Sequence, residues 1–406
     1  MSKDLFEKYQ SIIDEYNAFP ADVPNPFNVT MEEVISETEA VINGKRTILA
    51  GTNNYMGMTF NEDAIAAAHK ALDDFGTGTT GSRVLNGTYS GHRALEAMLA
   101  DFYGNDHAMV FSTGYQANLG MITALAGRGD YVIIDADSHA SIYDACNMGQ
   151  ADIVRFRHNS PEDLEKRLKR LPADAGKLVV VESIYSMLGD IAPLKELVEI
   201  SKRYDCTVLV DEAHSMGFFG EGGRGVVQDM GLEDDVDFIV GTFSKSVGTV
   251  GGFCVSNHPN FDILRVASRP YMFTASLPPA VVASACASIK VLKDSGSNRR
   301  GALWDNANQL HTGLKDAGFK LATTSAESPI IAVIIDDEDM AARFWSALLM
   351  NGVYVNMARP PATPLGINLM RCSVCAMHTS EQINQMVATF IAVAKELDLP
   401  LGDIAA

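Results

Sequence analysis

Short apolar runs recur through the middle of the chain, and amphipathic stretches separate several of them. Seven such runs lie at residues 108–111, 131–135, 153–156, 178–181, 207–210, 238–240 and 252–255. In the intervening stretches, as at 161–171 and 194–204, the apolar positions have helical spacing. Continuous apolar strands that alternate with helices indicate an α/β fold with a parallel sheet covered on both faces.

The two ends of the chain have a different pattern of predicted helices and strands from the middle. Residues 5–19 predict a helix, followed by a proline-rich passage and a short hairpin that ends at residue 50. After about residue 290, predicted helices at 304–317 and 340–351 mix with strand-like segments at 330–335, 353–355 and 369–372, before a final helix. A chain of 406 residues is too long for one ordinary domain. We therefore predict an N-terminal segment (1–50), a large domain (51–290) and a smaller C-terminal α/β domain (291–406).

Composition narrows the class of protein. Apolar residues make up 47% of the chain, and the formal net charge of -19 argues against a nucleic-acid partner. No apolar run approaches the length of a membrane span and the N-terminus lacks a signal-peptide core, so we expect a cytoplasmic protein. The six cysteines are scattered, and the single pair Cys372 and Cys375 is more typical of packed thiols than of a zinc site. We expect no metal.

Polar residues collect where the predicted strands end, which is the edge at which parallel sheets bind ligands. Among them, Lys245 follows the strand at 238–240 in a turn rich in hydroxyls and glycines. Most lysines are solvated surface charges. Burial in such a turn, however, favours the neutral amine, which is the form that makes a Schiff base with an aldehyde. We interpret Lys245 as a pyridoxal-phosphate (PLP) lysine.

Other strand ends carry the residue types that a PLP site needs. Asp211 ends the strand at 207–210 and could keep the ring nitrogen of the cofactor protonated, although an aspartate here could also be a helix N-cap. His214 could donate to the phenolic oxygen. His139 follows the strand at 131–135 and could stack on the ring, or could be structural.

A phosphate group needs hydroxyl and amide donors. Thr242 and Ser244 offer hydroxyls beside Lys245, while Gly114 and Tyr115 stand where a predicted helix begins, so that their amides are free to bind an anion. No dinucleotide fingerprint follows a strand in this region, and the chain has no Walker A sequence.

Further segments suggest contacts to substrates. Residues 76–83, which include Ser82, could form an entrance for a second substrate or a flexible loop. Arg359 and Arg371 are candidates for clamping the carboxylate of an amino acid.

These motifs resemble the α-oxoamine synthases, a family of fold type I PLP enzymes, over most of the chain. The resemblance rests on residues 54–57, 112–115, 137–141, 186–194, 211–215 and 242–245. Residues 241–248, 273–279 and 357–364 are most similar to the branch that condenses L-serine with a long-chain acyl thioester. Ser183 departs from the pattern, because the family usually has glycine there.

The resemblance implies a large, mostly parallel seven-stranded sheet domain with a smaller C-terminal domain, and a homodimer with shared active sites. It implies that Lys245 carries the PLP cofactor and that the product is 3-ketosphinganine, in the first step of sphingolipid synthesis. It implies roles for the following residues: Asp211 at the ring nitrogen; His139 stacked on the ring; His214 and Ser186 near the cofactor oxygens; Gly114, Tyr115, Thr242 and Ser244 at the phosphate; Thr274 from the second subunit; Arg359, Arg371, Asn54 and Ser82 at the substrates.

Alternatives stay open at this point. A sister enzyme would use glycine or alanine, as aminoketobutyrate ligase, aminolevulinate synthase and oxononanoate synthase do. A non-catalytic subunit would not need Lys245, Asp211 and His139 together, and a nicotinamide dehydrogenase would leave Lys245 unexplained. The sequence leaves undecided whether coenzyme A or an acyl carrier protein carries the acyl group, how long that group is, and whether the protein makes a weak peripheral contact with a membrane.

Overall fold

The computed structural model describes residues 4–17, 24–360, 363 and 366–402. Its strands, numbered along the chain, are β1 Glu33–Val34, β2 Glu39–Ile42, β3 Lys45–Leu49, β4 His107–Phe111, β5 Tyr131–Asp135, β6 Asp152–Phe156, β7 Lys177–Glu182, β8 Thr207–Asp211, β9 Phe238–Thr242, β10 Gly252–Ser256, β11 Ile330–Ile335, β12 Val353–Tyr354, β13 Asn356–Ala358 and β14 Asn368–Ser373. All seven apolar runs of the sequence are strands of one sheet, as predicted.

Helices separate many of these strands. They are α1 Gln10–Asn17, α2 Glu62–Phe75, α3 Ser90–Tyr103, α4 Gly114–Leu125, α5 Ala140–Met148, α6 Pro161–Leu168, α7 Leu194–Arg203, α8 Val226–Asp229, α9 Leu264–Ala267, α10 Arg269–Met272, α11 Pro279–Ser295, α12 Ser297–Asp316, α13 Glu338–Met350 and α14 Ser380–Glu396. Short 3-10 helices lie at Glu7–Tyr9, Pro26–Asn28, Glu221–Gly223 and Phe261–Ile263. Within the described residues, no helix is both long and apolar enough to cross a membrane.

The large sheet has the order β4-β10-β9-β8-β7-β5-β6, and only β10 runs antiparallel to its neighbours. All of these strands except the largely exposed edge strand β6 are buried between two apolar clusters, one on each face. Since β5, β7, β8 and β9 run in the same direction, their carboxyl ends lie along one edge. That edge brings together residues far apart in the sequence, including Glu182 and Asp211, which are direct neighbours on β7 and β8.

The N-terminal hairpin joins the C-terminal part of the chain in a second sheet. Strands β2 and β3 pair antiparallel, and β3 then pairs with β12, with Ile48 opposite Val353. A third sheet has the order β11-β14-β13. The division at 1–50, 51–290 and 291–406 stays a prediction, and the pairing of β3 with β12 favours one small unit built from the first and last of these parts.

Two predicted boundaries differ from the structure. The predicted helix at 5–19 begins with a 3-10 turn before α1, and its predicted end at Phe19 lies outside the described residues. Helix α12 begins at Ser297 rather than at 304, directly after α11. Its first four residues are Ser, Asn, Arg and Arg, so they carry no apolar periodicity. The helical start was therefore invisible in the hydrophobic pattern.

A buried ion-pair cluster anchors the segment that follows the glycine-rich stretch at 76–83. The Glu96 carboxylate lies 2.9 Å from both Arg83 Nη1 and Arg265 Nη1, and Glu96 and Arg83 are almost fully buried. Burial by itself would raise the pKa of Glu96, but the two guanidinium groups outweigh it and lower that pKa below its usual value. The charged carboxylate is thus stabilised by folding.

Replacing Glu96 with glutamine is expected to lower the free energy of unfolding by about 3–5 kcal/mol, because two buried guanidinium groups lose their counter-charge. Since the pKa of Glu96 is lowered in the folded protein, its contribution should be full above about pH 4.3 and decline as the pH falls further. Urea unfolding measures both effects. Asp74→Asn, which breaks the exposed pair with Lys70, is the matched control and should leave the unfolding midpoint unchanged. Equal midpoints for all three proteins would contradict the prediction.

Candidate active site

A cavity of about 260 Å³ opens at the carboxyl edge of the large sheet. Its walls come from the ends of β7, β8 and β9, from the start of α4 and from the turn after β9. The structure brings eight of the predicted cofactor residues together in its lining: Gly114, Tyr115, His139, Asp211, His214, Thr242, Ser244 and Lys245.

Lys245 is half-buried in the turn that follows β9. Burial lowers the pKa of its ammonium group to about 8, although the carboxylates of Asp211 and Glu182 act in the opposite direction. The neutral amine is therefore more populated near neutral pH than it is for an ordinary lysine. That is the form which attacks an aldehyde, as the sequence interpretation of Lys245 requires.

Asp211 is held rigidly at the end of β8. Its Oδ2 accepts a hydrogen bond of 2.7 Å from Asn118 Nδ2, and its Oδ1 accepts one of 2.8 Å from the amide of Ala213. Asn118 Nδ2 also lies 2.9 Å from Ser141 Oγ. Both contacts donate to the carboxylate and fix its orientation. Asp211 is thus a fixed, buried acceptor for a cationic N–H in the cavity.

A set of anion donors forms another wall of the cavity. Gly114 and Tyr115 are the first residues of α4, where amides lack partners within the helix and can bind an anion. Thr242 Oγ1 lies 2.9 Å from Ser244 Oγ. A Cβ on Gly114 would come within 2.8 Å of the Thr242 Cβ, so only glycine lets the helix start lie this close to β9.

His214 lies deep in the cavity wall, where its Nδ1 is 2.8 Å from the hydroxyl of Tyr55. Burial lowers the pKa of His214 well below its usual value, and the positive charges of Lys245 and Arg371 lower it further. The ring is therefore neutral, and its bond to Tyr55 fixes its orientation.

His139 lines the cavity and is held in place by contacts with Ser141 and Glu182. Its Nδ1 lies 2.7 Å from Ser141 Oγ, and its backbone amide donates to Glu182 Oε1 at 2.5 Å. Burial and the neighbouring charge of Asp211 raise the pKa of Glu182 well above its usual value. The raised pKa favours the protonated form of the Glu182 carboxyl group.

The remaining predicted residues are absent from the lining that the described residues form. Ser186 lies in an adjoining cavity that shares His139 with the first. Arg371 is buried, and its Nε donates to the backbone oxygen of Ser186, while its Nη2 donates to Asn53 Oδ1 at 3.2 Å. Thr274 Oγ1 accepts a bond of 3.0 Å from Gln116 Nε2.

Two of the predicted substrate residues, Asn54 and Ser82, make contacts with other parts of the protein. Asn54 bonds within its own turn, to the amide of Met58 and the hydroxyl of Thr59. Ser82 forms an isolated bridge with Ala275. The segment at 76–83 is thus tied to the residues near Thr274, which disfavours the flexible-loop alternative.

Arg359 follows β13 and pairs with Glu338 at 2.9 Å. Part of the segment 357–364, namely residues 361, 362 and 364, lies outside the described residues. The roles of Asn54, Ser82 and Arg359 stay predictions.

Ser183 is accommodated without disturbing the strand end. Its side chain is fully buried, its amide donates to the backbone oxygen of Asp211 at 3.0 Å, and its Oγ donates to Glu212 Oε2 at 2.9 Å. The extra hydroxyl thus finds an acceptor where the family usually has glycine.

Sequence reasoning did not assign Tyr55, Asn118, Ser141 and Glu182. Tyr55 and Ser141 lie inside two of the segments that carry the family resemblance, 54–57 and 137–141, and Glu182 directly follows the apolar run 178–181, so their positions carried a signal. Asn118 lies within α4, and nothing in the sequence indicates that its amide reaches Asp211.

Comparisons with known proteins agree with this geometry. The family model "Aminotransferase class I and II" matches residues 45–390. The serine palmitoyltransferase of Sphingomonas paucimobilis is 59% identical over 97% of this chain and 94% of its own length. The chain belongs to the serine palmitoyltransferases of the class I and II aminotransferase family.

Solved structures of this group have the same fold. The serine palmitoyltransferase of Sphingomonas wittichii superposes with a TM-score of 0.96 at 61% identity, covering 98% of this chain and 100% of that one. A high-resolution structure of SPT with PLP internal aldimine also reaches a TM-score of 0.96, at 59% identity and with the same coverage. The fold is therefore that of fold type I, as predicted.

Pyridoxal 5′-phosphate is the cofactor of this family, and the cavity fits it. The phosphate needs amide and hydroxyl donors, which α4, Thr242 and Ser244 provide. The ring nitrogen needs a buried carboxylate, which Asp211 provides, and the aldehyde needs an amine, which Lys245 provides.

Proposed function

We propose that this chain condenses L-serine with a long-chain acyl thioester to give 3-ketosphinganine. A carbon–carbon bond forms between Cα of serine and the acyl carbonyl carbon, and the carbon–sulfur bond breaks to release a thiol. The serine carboxylate leaves as CO₂, and a proton takes its place on Cα. The observation that carries the proposal is the single cavity in which Lys245, Asp211 and His139 meet.

The chemistry of the proposed reaction divides between the cofactor and the protein. Bound in this cavity, PLP supplies an aldehyde that captures amines and a ring that withdraws electrons from the attached carbon. Lys245 Nζ removes the proton from Cα of serine, which its pKa near 8 allows at neutral pH. Asp211 keeps a proton on the ring nitrogen. His139 holds the ring flat and guides the thioester carbonyl toward Cα.

Residues around Lys245, Asp211 and His139 position the cofactor and the serine substrate. The start of α4, Thr242 and Ser244 hold the phosphate. Neutral His214 holds the phenolic oxygen, with Ser186 on the neighbouring loop. Arg371, whose buried guanidinium lies beside Asn53 and Ser186, holds the serine carboxylate together with Arg359.

We also propose a homodimer in which Thr274 of one subunit reaches the phosphate of the other. Large apolar side chains near the predicted phosphate residues support this arrangement. Leu85 is 82% exposed, Phe273 is 66% exposed and Val250, which lines the cavity, is 51% exposed. Apolar surface of this kind is typical of a subunit interface.

The amino-acid substrate is tested by visible absorption of the PLP-loaded protein, titrated separately with L-serine, glycine and L-alanine. We expect a yellow band that responds saturably to serine and weakly to the other two. A stronger response to glycine or alanine would assign the chain to a sister reaction. Release of CO₂ and formation of the long-chain ketone, measured with palmitoyl-coenzyme A and with a palmitoyl acyl carrier protein, then distinguish the two acyl donors.

A further inference from the structure

The adjoining cavity, of about 540 Å³, is bounded by two segments that each carry a predicted active-site residue. One is residues 136–140, which include His139. The other is the Ser186 loop, defined here as residues 185–190. His158 lines the same cavity, although neither the sequence motifs nor the proposed function assigns it a role.

The two ring nitrogens of His158 face two different carboxylates. Its Nδ1 lies 2.9 Å from Asp135 Oδ1, and its Nε2 lies 2.8 Å from Asp190 Oδ2. A carboxylate only accepts hydrogen bonds, and a neutral imidazole has a single N–H. Both contacts are hydrogen bonds only if both nitrogens carry protons. Burial opposes this charge, but the two carboxylates raise the pKa of His158 to about 10.

Asp135 directly precedes the first of the two segments that bound the cavity, and Asp190 is the last residue of the second. Asp135 ends β5, and its Oδ1 also accepts the amide of Asp137 at 2.8 Å, which fixes the turn leading to His139. Asp190 closes the Ser186 loop, since its backbone oxygen accepts the amide of Tyr185 at 3.0 Å.

Neighbouring contacts reinforce the bridge that His158 forms between Asp135 and Asp190. Asn159, the next residue, donates from its amide to Asp135 Oδ2 at 2.8 Å and from its side chain to Asp190 Oδ2 at 2.6 Å. From the opposite side, Arg371 Nε donates to the backbone oxygen of Ser186. The Ser186 loop is thus held between two cationic side chains.

The other titratable groups facing His158 are also acidic. Asp137 Oδ2 lies 3.7 Å from Nδ1, and the Tyr185 ring makes a T-shaped contact with the imidazole, with centroids 4.5 Å apart. No lysine or arginine among the described residues lies in the lining of this cavity. His158 is therefore the cation that lies among these acidic groups. Without its charge, the carboxylates of Asp135, Asp137 and Asp190 would repel one another.

We propose that His158 is a positioning residue: its doubly protonated ring fixes the Ser186 loop against the segment that carries His139, and so sets the shape of the space where the acyl thioester meets the cofactor. The inference depends on the proposed function only for the identity of the thioester. The bridge itself depends only on the contacts of His158.

Steady-state kinetics of the PLP-loaded His158→Gln variant test the proposal. The yellow band and its response to L-serine should stay within about twofold of wild type, because Lys245 and Asp211 are untouched, whereas kcat for thioester condensation should fall about 100-fold. His107→Gln, on the far end of β4, is the matched control and should behave as wild type. Wild-type kcat in His158→Gln would overturn the proposal, as would equal losses in cofactor binding, serine response and kcat.

The pH profile of Asp190→Asn gives a second readout. With one carboxylate removed, His158 should lose its proton within about pH 7 to 9, so that activity gains a new descending limb on the alkaline side. A wild-type profile in this variant would overturn the proposal.

Nitrogen-15 NMR of histidine-labelled wild-type protein tests the charge without any substrate. The signal missing in His158→Gln identifies His158, and we expect two protonated nitrogens at about pH 8. A single protonated nitrogen there overturns the proposal. If two are found but the wild type prefers glycine or alanine, the proposed function fails, and the kinetic comparison is made with that amino acid.

Discussion

Lys245→Ala is expected to remove the yellow band of the PLP-loaded protein and to reduce turnover by about four to six orders of magnitude. Alanine has neither the amine that binds the aldehyde nor the base that removes the Cα proton, so two steps are lost together. The phosphate donors at α4, Thr242 and Ser244 remain, and the variant should still bind PLP non-covalently. Absorption spectra and product release are the measurements.

The control for Lys245 is Lys202→Ala. Lys202 Nζ forms a salt bridge of 2.7 Å with Asp237 Oδ2, and Lys202 is not part of the lining of the cavity. This variant should keep both the band and the turnover. Turnover retained in Lys245→Ala would sink the assignment of Lys245, and with it the PLP mechanism.

Asp211→Asn is expected to lower kcat about a thousandfold while the protein still binds PLP. Asparagine has the same shape but no charge, so it does not keep a proton on the ring nitrogen, and the ring then withdraws electrons less well. The amide also conflicts with its surroundings, because both contacts of Asp211, from Asn118 Nδ2 and from the Ala213 amide, are donors.

The matched control is Asp237→Asn, since Asp237 flanks β9 at the opposite edge of the same sheet and accepts the amide of Val208 at 2.7 Å. Its substitution should affect stability rather than kcat. If Asp211→Asn turned over at the wild-type rate, protonation of the ring nitrogen would not depend on Asp211.

Individual residues of the site differ in how readily the sequence predicts their role. Asp211 and Lys245 were found because the first directly follows an apolar strand and the second lies in the turn after one, and parallel strands place such residues at a common edge. Asn118 was not found, because it lies within α4 among apolar residues and looks like any polar residue of a helix. Only the packing of α4 against the sheet brings its amide to Asp211.

The same distinction applies to charge. The sequence indicates that Glu182 and His158 are titratable, but not which protonation state they hold. That state depends on burial and on neighbours distant in the chain: Asp211 beside Glu182, and Asp135 and Asp190 on either side of His158. Local sequence does not contain these distances.

The sequence by itself determined the seven strands, their mostly parallel arrangement and the edge at which the site lies. Hydrophobic periodicity and strand ends are local properties, and each can be read from a few consecutive residues. The tertiary structure decided the pairing of the N-terminal hairpin with β12, the early start of α12 and the contacts that orient His139, His214 and the Ser186 loop. Those features depend on contacts between residues tens to hundreds of positions apart, which no local pattern encodes.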